Sequence, residues 1–68
     1  MNEELLNIQV RKFLKKVGIQ SQREIEQAVK DRIEKGSLSG TENLDATMLL
    51  DVPEIDLKVS IEGKIEIK

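Results

Sequence analysis

The spacing of apolar residues changes once along this chain, and that change limits the folds open to it more than any other feature. From Leu6 to Ile33 apolar positions recur every three or four residues, the period of a helix with one face turned inward. From Ala46 to Ile67 they recur every second residue, the period of a half-buried strand. The turn-rich run GSLSGTEN, residues 36–43, separates the two regimes. A chain that is helical first and extended afterwards belongs to the α+β class.

Element boundaries follow from stop and start signals. Leu6, Val10, Phe13, Leu14 and Val17 form one stripe and predict a helix over residues 3–17, which Gly18 can close in a left-handed conformation while Lys15 and Lys16 suit its C-terminal dipole. SQRE, residues 21–24, has the form of a capping box in which Ser21 and Glu24 exchange hydrogen bonds with each other's amides. It predicts a second helix over residues 22–35, with Ile25, Ala28, Val29 and Ile33 on its apolar face and Gly36 at its end.

Strands over residues 46–52 and 55–61 pair round Pro53 and Glu54, setting Val52 against Ile55, Leu50 against Leu57 and Met48 against Val59 on one face. Pro53 suits a type I turn or a longer loop better than a primed two-residue turn. In IEGKIEIK, a three-residue loop at residues 62–64 aligns Ile61 with Ile65 and Val59 with Ile67, which predicts a third strand over residues 65–67 with Ile65 and Ile67 buried. The expected architecture is a helix-helix hairpin packed on one face of a three-stranded antiparallel meander (ααβββ), a single domain over residues 1–68.

At 68 residues with no Cys and no His, such a domain has neither a disulfide nor the commonest zinc ligands to staple it, so packing must hold it. That fits a reducing compartment and a cytoplasmic location. MNEELLNIQV carries no basic leader and no long apolar run, so neither a signal peptide nor a membrane span is expected. Residues 1–40 hold eight Lys or Arg against six Asp or Glu, and residues 41–68 three against seven. This is a mild dipole, far from the basic footprint of a nucleic-acid binder.

LKKVGIQSQREIEQAV, residues 14–29, raises a helix-turn-helix reading. Ser21 and Ile25 each fall one position late for the familiar spacing, and residues 22–35 balance Arg23, Lys30, Arg32 and Lys35 with Glu24, Glu26, Asp31 and Glu34. A neutral helix brings carboxylates to phosphates, which lowers affinity. The one aromatic, Phe13, lies in the apolar stripe and offers no stacking platform. No residues stand in a nucleophile or acid–base motif, so no enzyme and no cofactor is expected. Asp51, Glu54 and Asp56 lack the alternating ligands and central Gly of a calcium loop and read as a solvated turn.

One surface stands out. Ile8 points away from the apolar stripe and is framed at helical spacing by Arg11, Lys12 and Lys15, with Leu5 a turn earlier. An apolar spot in a basic setting can dock an acidic partner, a second copy of the chain or an anionic surface; a lone exposed Ile is the ordinary alternative. Arg32 falls inside the stripe of the second helix, where its stem can cover apolar surface while its guanidinium pairs with a carboxylate. These features favour a small non-enzymatic interaction or adapter module, with a protein partner or homodimer; the alternative is a weak nucleic-acid-binding or regulatory domain of modified helix-turn-helix type.

RKFLKKVGIQSQREIEQAV followed by GSLSGTENLDATMLL resembles a family of short bacterial proteins of uncharacterised function. The residues that carry the likeness are Arg11 to Leu14, Gly18, Ser21 to Ile25, Gly36, Gly40, Thr41 and Glu42. The resemblance implies a small bacterial protein, and brings no activity, cofactor or partner with it.

Overall fold

A helix that has begun ends only where stopping satisfies its last carbonyls, and in this chain that happens once. The computed structural model describes residues 1–68 and gives one 32-residue helix, α1, over Glu3–Glu34. Two strands follow, β1 over Asn43–Val52 and β2 over Leu57–Glu66, joined through a one-turn 3-10 segment, Pro53–Ile55. The chain divides into two compact units, Met1–Ser37 and Leu38–Lys68, each considered by itself below.

The expected break at Gly18 and the second helix start at Ser21 are therefore corrected: α1 runs through both. Gly18 has no left-handed φ, unlike Gly36 and Gly40. A mid-helix Gly costs about 1 kcal/mol relative to Ala. Breaking the helix there would orphan roughly eight backbone groups, four at each new end. Continuation wins that comparison, because none of the residues 19–24 is Pro and all tolerate a helix. With Ser21 and Glu24 mid-helix, their amides already bond within the ladder, so the SQRE sequence caps nothing. The turn required by a helix-turn-helix reader is not formed.

The true ends of α1 are well made. Asn2 is the N-cap, its side-chain oxygen accepting the Leu5 amide at 3.0 Å, and Glu3 and Glu4 place negative charge at the positive end of the dipole. At the other end Gly36 takes φ 81°; its amide donates to the Ile33 carbonyl at 3.1 Å and the Ser37 amide to the Arg32 carbonyl at 2.9 Å. This is a Schellman closure, which satisfies the last carbonyls from beyond the helix. Gly36 thus ends α1 as expected. Asp31 binds Arg32 at 2.9 Å and Lys35 at 3.2 Å, giving Arg32 the carboxylate its place in the stripe requires.

Once the two predicted helices become one, their stripes join. Leu6, Val17 and Ala28 stand eleven residues apart, as do Val10, Ser21 and Arg32, and Leu14 and Ile25. Eleven residues span three turns at about 3.67 per turn against the helix's 3.6, so the stripe winds slowly right-handed along α1, by about 20° per repeat. No side chain of α1 is buried.

The sheet holds two strands, not three. β1 and β2 pair antiparallel along their whole length, with Leu44 opposite Ile65, Ala46 opposite Gly63, Met48 opposite Ile61, Leu50 opposite Val59 and Val52 opposite Leu57. The predicted loop at residues 62–64 is absent because none is needed: Ile61, Gly63, Ile65 and Ile67 keep an unbroken period of two once Gly63 counts as a position on the apolar face. Extending β1 back to Leu44 supplies Ile65 with a partner, which a three-residue third strand could not match in ladder length. Val59 consequently faces Leu50 rather than Ile67, and Ile65 and Ile67 are half-buried rather than buried. The Ile67 amide reaches the Glu42 carbonyl at 3.4 Å, beyond the paired strands.

The first hairpin register is also corrected, by two residues. Pro53 through Asp56 all lie in the connection, which closes with Asp56 in the left-handed region, φ 52°, its amide donating to the Pro53 carbonyl at 3.1 Å. Pro53 supplies the fixed φ that starts the turn and Asp tolerates its left-handed end, so the longer loop prevails. A shift of two preserves which face each side chain occupies. The rest of the apolar face keeps its parity, while Ile55 leaves the ladder for the turn, and none of the sheet's side chains is fully buried. No helix is long and apolar enough to cross a membrane.

Candidate functional site

Helical phase places the residues of the candidate patch. Ile8, Arg11, Lys12 and Lys15 are one turn apart on α1 and line one shallow depression on the face away from the stripe. Ile8 is 58% exposed. Leu5, 51% exposed, lies a turn earlier and outside that lining, its amide engaged in the Asn2 cap. The structure thus brings four of the five residues together and leaves Leu5 at the margin.

The electrostatics of this face are one-sided. The three ion pairs of the chain are Arg32–Asp31, Lys35–Asp31 and Lys64–Asp45, so Arg11, Lys12 and Lys15 have no carboxylate within 4 Å. From Leu5 to Arg23 the helix carries Arg11, Lys12, Lys15, Lys16 and Arg23 and no acid. Repulsion among neighbouring cations costs little in water and is relieved by any anionic surface that approaches. Chemically the patch can bind; it holds no nucleophile, acid–base pair or metal-ligand set. Elsewhere, no group of three or more His, Cys, Asp or Glu converges as a metal site. Asp51 is paired near the end of β1, opposite Lys58, while Glu54 and Asp56 flank Ile55 in the turn.

A second constructed feature escaped the sequence reading. After Gly36 the chain wraps the carboxylate of Glu42: the Ser39 amide donates to its two oxygens at 2.9 and 3.1 Å, the Gly40 amide at 3.0 Å and the Thr41 amide at 3.1 Å. Ser39 and Thr41 hydroxyls meet at 2.8 Å, and Gly40 supplies φ 94°. Successive amides turned to one point form a nest for an anion, here filled by the chain's own side chain. The Ser39 amide, then Glu42's own amide, hold the Glu42 carboxyl well below its ordinary 4.5, at about 2. The available signal was the acid placed directly after Ser-Gly-Thr, where three consecutive amides can turn toward it.

A depressed pKa fixes a sign. Folding with the carboxylate bound favours the ionised form, so this contribution is fully present above the unfolded value near 4.5 and is lost as pH falls from there through about 2. A carbon-detected NMR titration of Glu42 is expected to give a midpoint near 2, with the Ser39, Gly40 and Thr41 amide shifts moving in step. In Glu42→Gln those amide shifts should be flat over the same range. A Glu42 midpoint at the ordinary carboxylate value would mean that the nest is not formed in solution.

Gly36, which closes α1, and Gly40, Thr41 and Glu42, which build the nest, are among the residues that carry the resemblance read from the sequence. No curated protein and no solved structure matches the sequence. A family model does match, over residues 1–68, and the protein accordingly belongs to a family of unknown function, DUF6494.

Proposed function

We propose that this protein is a small non-enzymatic interaction module that docks an acidic protein surface on Leu5, Ile8, Arg11, Lys12 and Lys15. The observation that carries the reading is an exposed apolar residue at the centre of cations that have no internal counter-charge. Ile8 gives such a contact an apolar centre, and the cations give it partner choice and encounter rate. A phosphate backbone would gain nothing from Ile8, and the turn on which the nucleic-acid alternative rested is missing. A cytoplasmic setting goes with this reading, since a chain with no Cys has nothing to gain from an oxidising compartment.

The test is capture from lysate of the source cells, comparing the native chain with Ile8→Asp and with Lys12→Glu/Lys15→Glu. Both variants should keep their helix content and lose the same acidic protein. Charge reversal should act chiefly through association rate and salt dependence, and Ile8→Asp through a shortened complex lifetime. Recovery of nucleic acid instead, with a steep log-linear loss of affinity in salt and no response to Ile8→Asp, would overturn the reading.

A further inference from the structure

Ile8 is not the last apolar residue on its face. Ile19, 45% exposed, follows it about 16 Å farther along α1 and about 20° round, outside the apolar stripe. At about 100° per residue, Arg11, Lys12, Lys15 and Arg23 all lie within about 60° of the Ile8 direction, so these cations share the face of the two isoleucines. None of them is in an ion pair.

Acids close the face at both ends. Glu4 stands one turn before Ile8 and Glu26 one turn after Arg23, where Glu26 accepts a 3.4 Å hydrogen bond from Gln22. The two carboxylates are about 33 Å apart along the axis. A partner that lays its own carboxylates between them gains at every cation, and one that carries them past either end meets Glu4 or Glu26. The contact therefore has a length as well as a sign.

The backbone says what form the partner takes. The amides and carbonyls of this stretch are taken up within α1 and its cap. An extended segment laid on it would find no main-chain partner and would hold its own polar groups unpaired over the isoleucines. A helix brings its backbone already satisfied and can follow α1 along its axis. We propose that the surface centred on Ile8 extends to Ile19 and Arg23, and that its partner is an acidic amphipathic helix with two apolar residues about three turns apart, flanked by Asp or Glu. The proposal rests on the docking reading above and adds the partner's form and the far end of the contact.

The chain has no Trp and no Tyr, so a Trp in the partner reports alone. The probe is a synthetic helical peptide of about 22 residues, with Trp and Leu three turns apart on one side, Glu beside each of them and Ala elsewhere, added to the full chain. Its Trp emission should shift to the blue and saturate. Ile8→Asp, Ile19→Asp and Arg23→Glu should each weaken binding on the order of tenfold with helix content unchanged, and Ile19→Ala, which favours the helix, should weaken it severalfold. Gln20→Glu adds the same charge as Ile19→Asp but points about 120° away from Ile8, so it should bind as the native chain does. No binding of the peptide to the native chain, or equal binding of a proline-broken copy or of one with Trp and Leu on opposite sides, would overturn the helical partner. Tighter binding to phosphatidylserine vesicles or to duplex DNA than to the peptide would do the same. Full binding by Ile19→Asp and Arg23→Glu, beside loss in Ile8→Asp, would overturn the extension and leave the docking reading standing. A lysate partner retained by Ile8→Asp as well would overturn both.

Discussion

Gly18→Pro is expected to cost the helix about 3 kcal/mol or more and to remove a large part of its circular-dichroism signal. Proline at this position takes away the amide that bonds to the Leu14 carbonyl and drives its ring against that carbonyl, in the middle of a 32-residue element. The informative partner is Gly18→Ala, because its sign depends on the conformation. In a left-handed helix stop, Ala would be destabilising by about 1–2 kcal/mol. In a helix interior with nothing within 4 Å of the added Cβ, Ala should stabilise by about 1 kcal/mol. A rise in helix content and melting temperature for Gly18→Ala, beside the collapse for Gly18→Pro, is the outcome expected of one continuous helix. A fall in both variants would restore the break.

Gly36→Ala should have the opposite sign to Gly18→Ala. At φ 81° a Cβ meets the backbone's own strain, and because nothing lies within 4 Å of it the cost is conformational alone, about 1–2 kcal/mol. The loss should appear first in the last turn, as faster amide exchange at Gly36 and Ser37, whose bonds to Ile33 and Arg32 close the helix. Equal responses of the two glycines to alanine would contradict the assignment of one to the interior and the other to the end.

That contrast also shows what could be read from residues alone. The α+β class, the order of helical and extended regions, the helix end at Gly36 and the parity of both strands were legible, because each rests on a period summed over many residues. The errors fell at Gly18, at Gly63 and in the length of the connection after Pro53, where one or two residues were asked to decide. Glycine is compatible with a stop, a turn and a plain interior position, and the SQRE pattern reads the same in mid-helix as at an N-terminus. What decides is how many backbone groups are orphaned by stopping, a quantity of the whole element. Likewise Leu44 settles the register of β2 only when paired with Ile65, some twenty residues away. Of the candidate patch, Ile8, Arg11, Lys12 and Lys15 were legible because helical phase survives an error in helix length; the Glu42 nest was not, because it depends on the φ values of a loop.

The partition into Met1–Ser37 and Leu38–Lys68 has a consequence for the speed of folding. Each unit is built from contacts short in sequence: helical bonds four residues apart, and a hairpin ladder that zips outward from the Pro53–Asp56 connection. Helix growth takes on the order of a microsecond and hairpin closure about 1–10 μs. Low contact order leaves no slow search for a distant partner segment. Within each unit the native backbone can therefore form while a ribosome is still adding the next residue, at about 5–20 residues per second, and any encounter with a second molecule is made by a chain whose helix already exists.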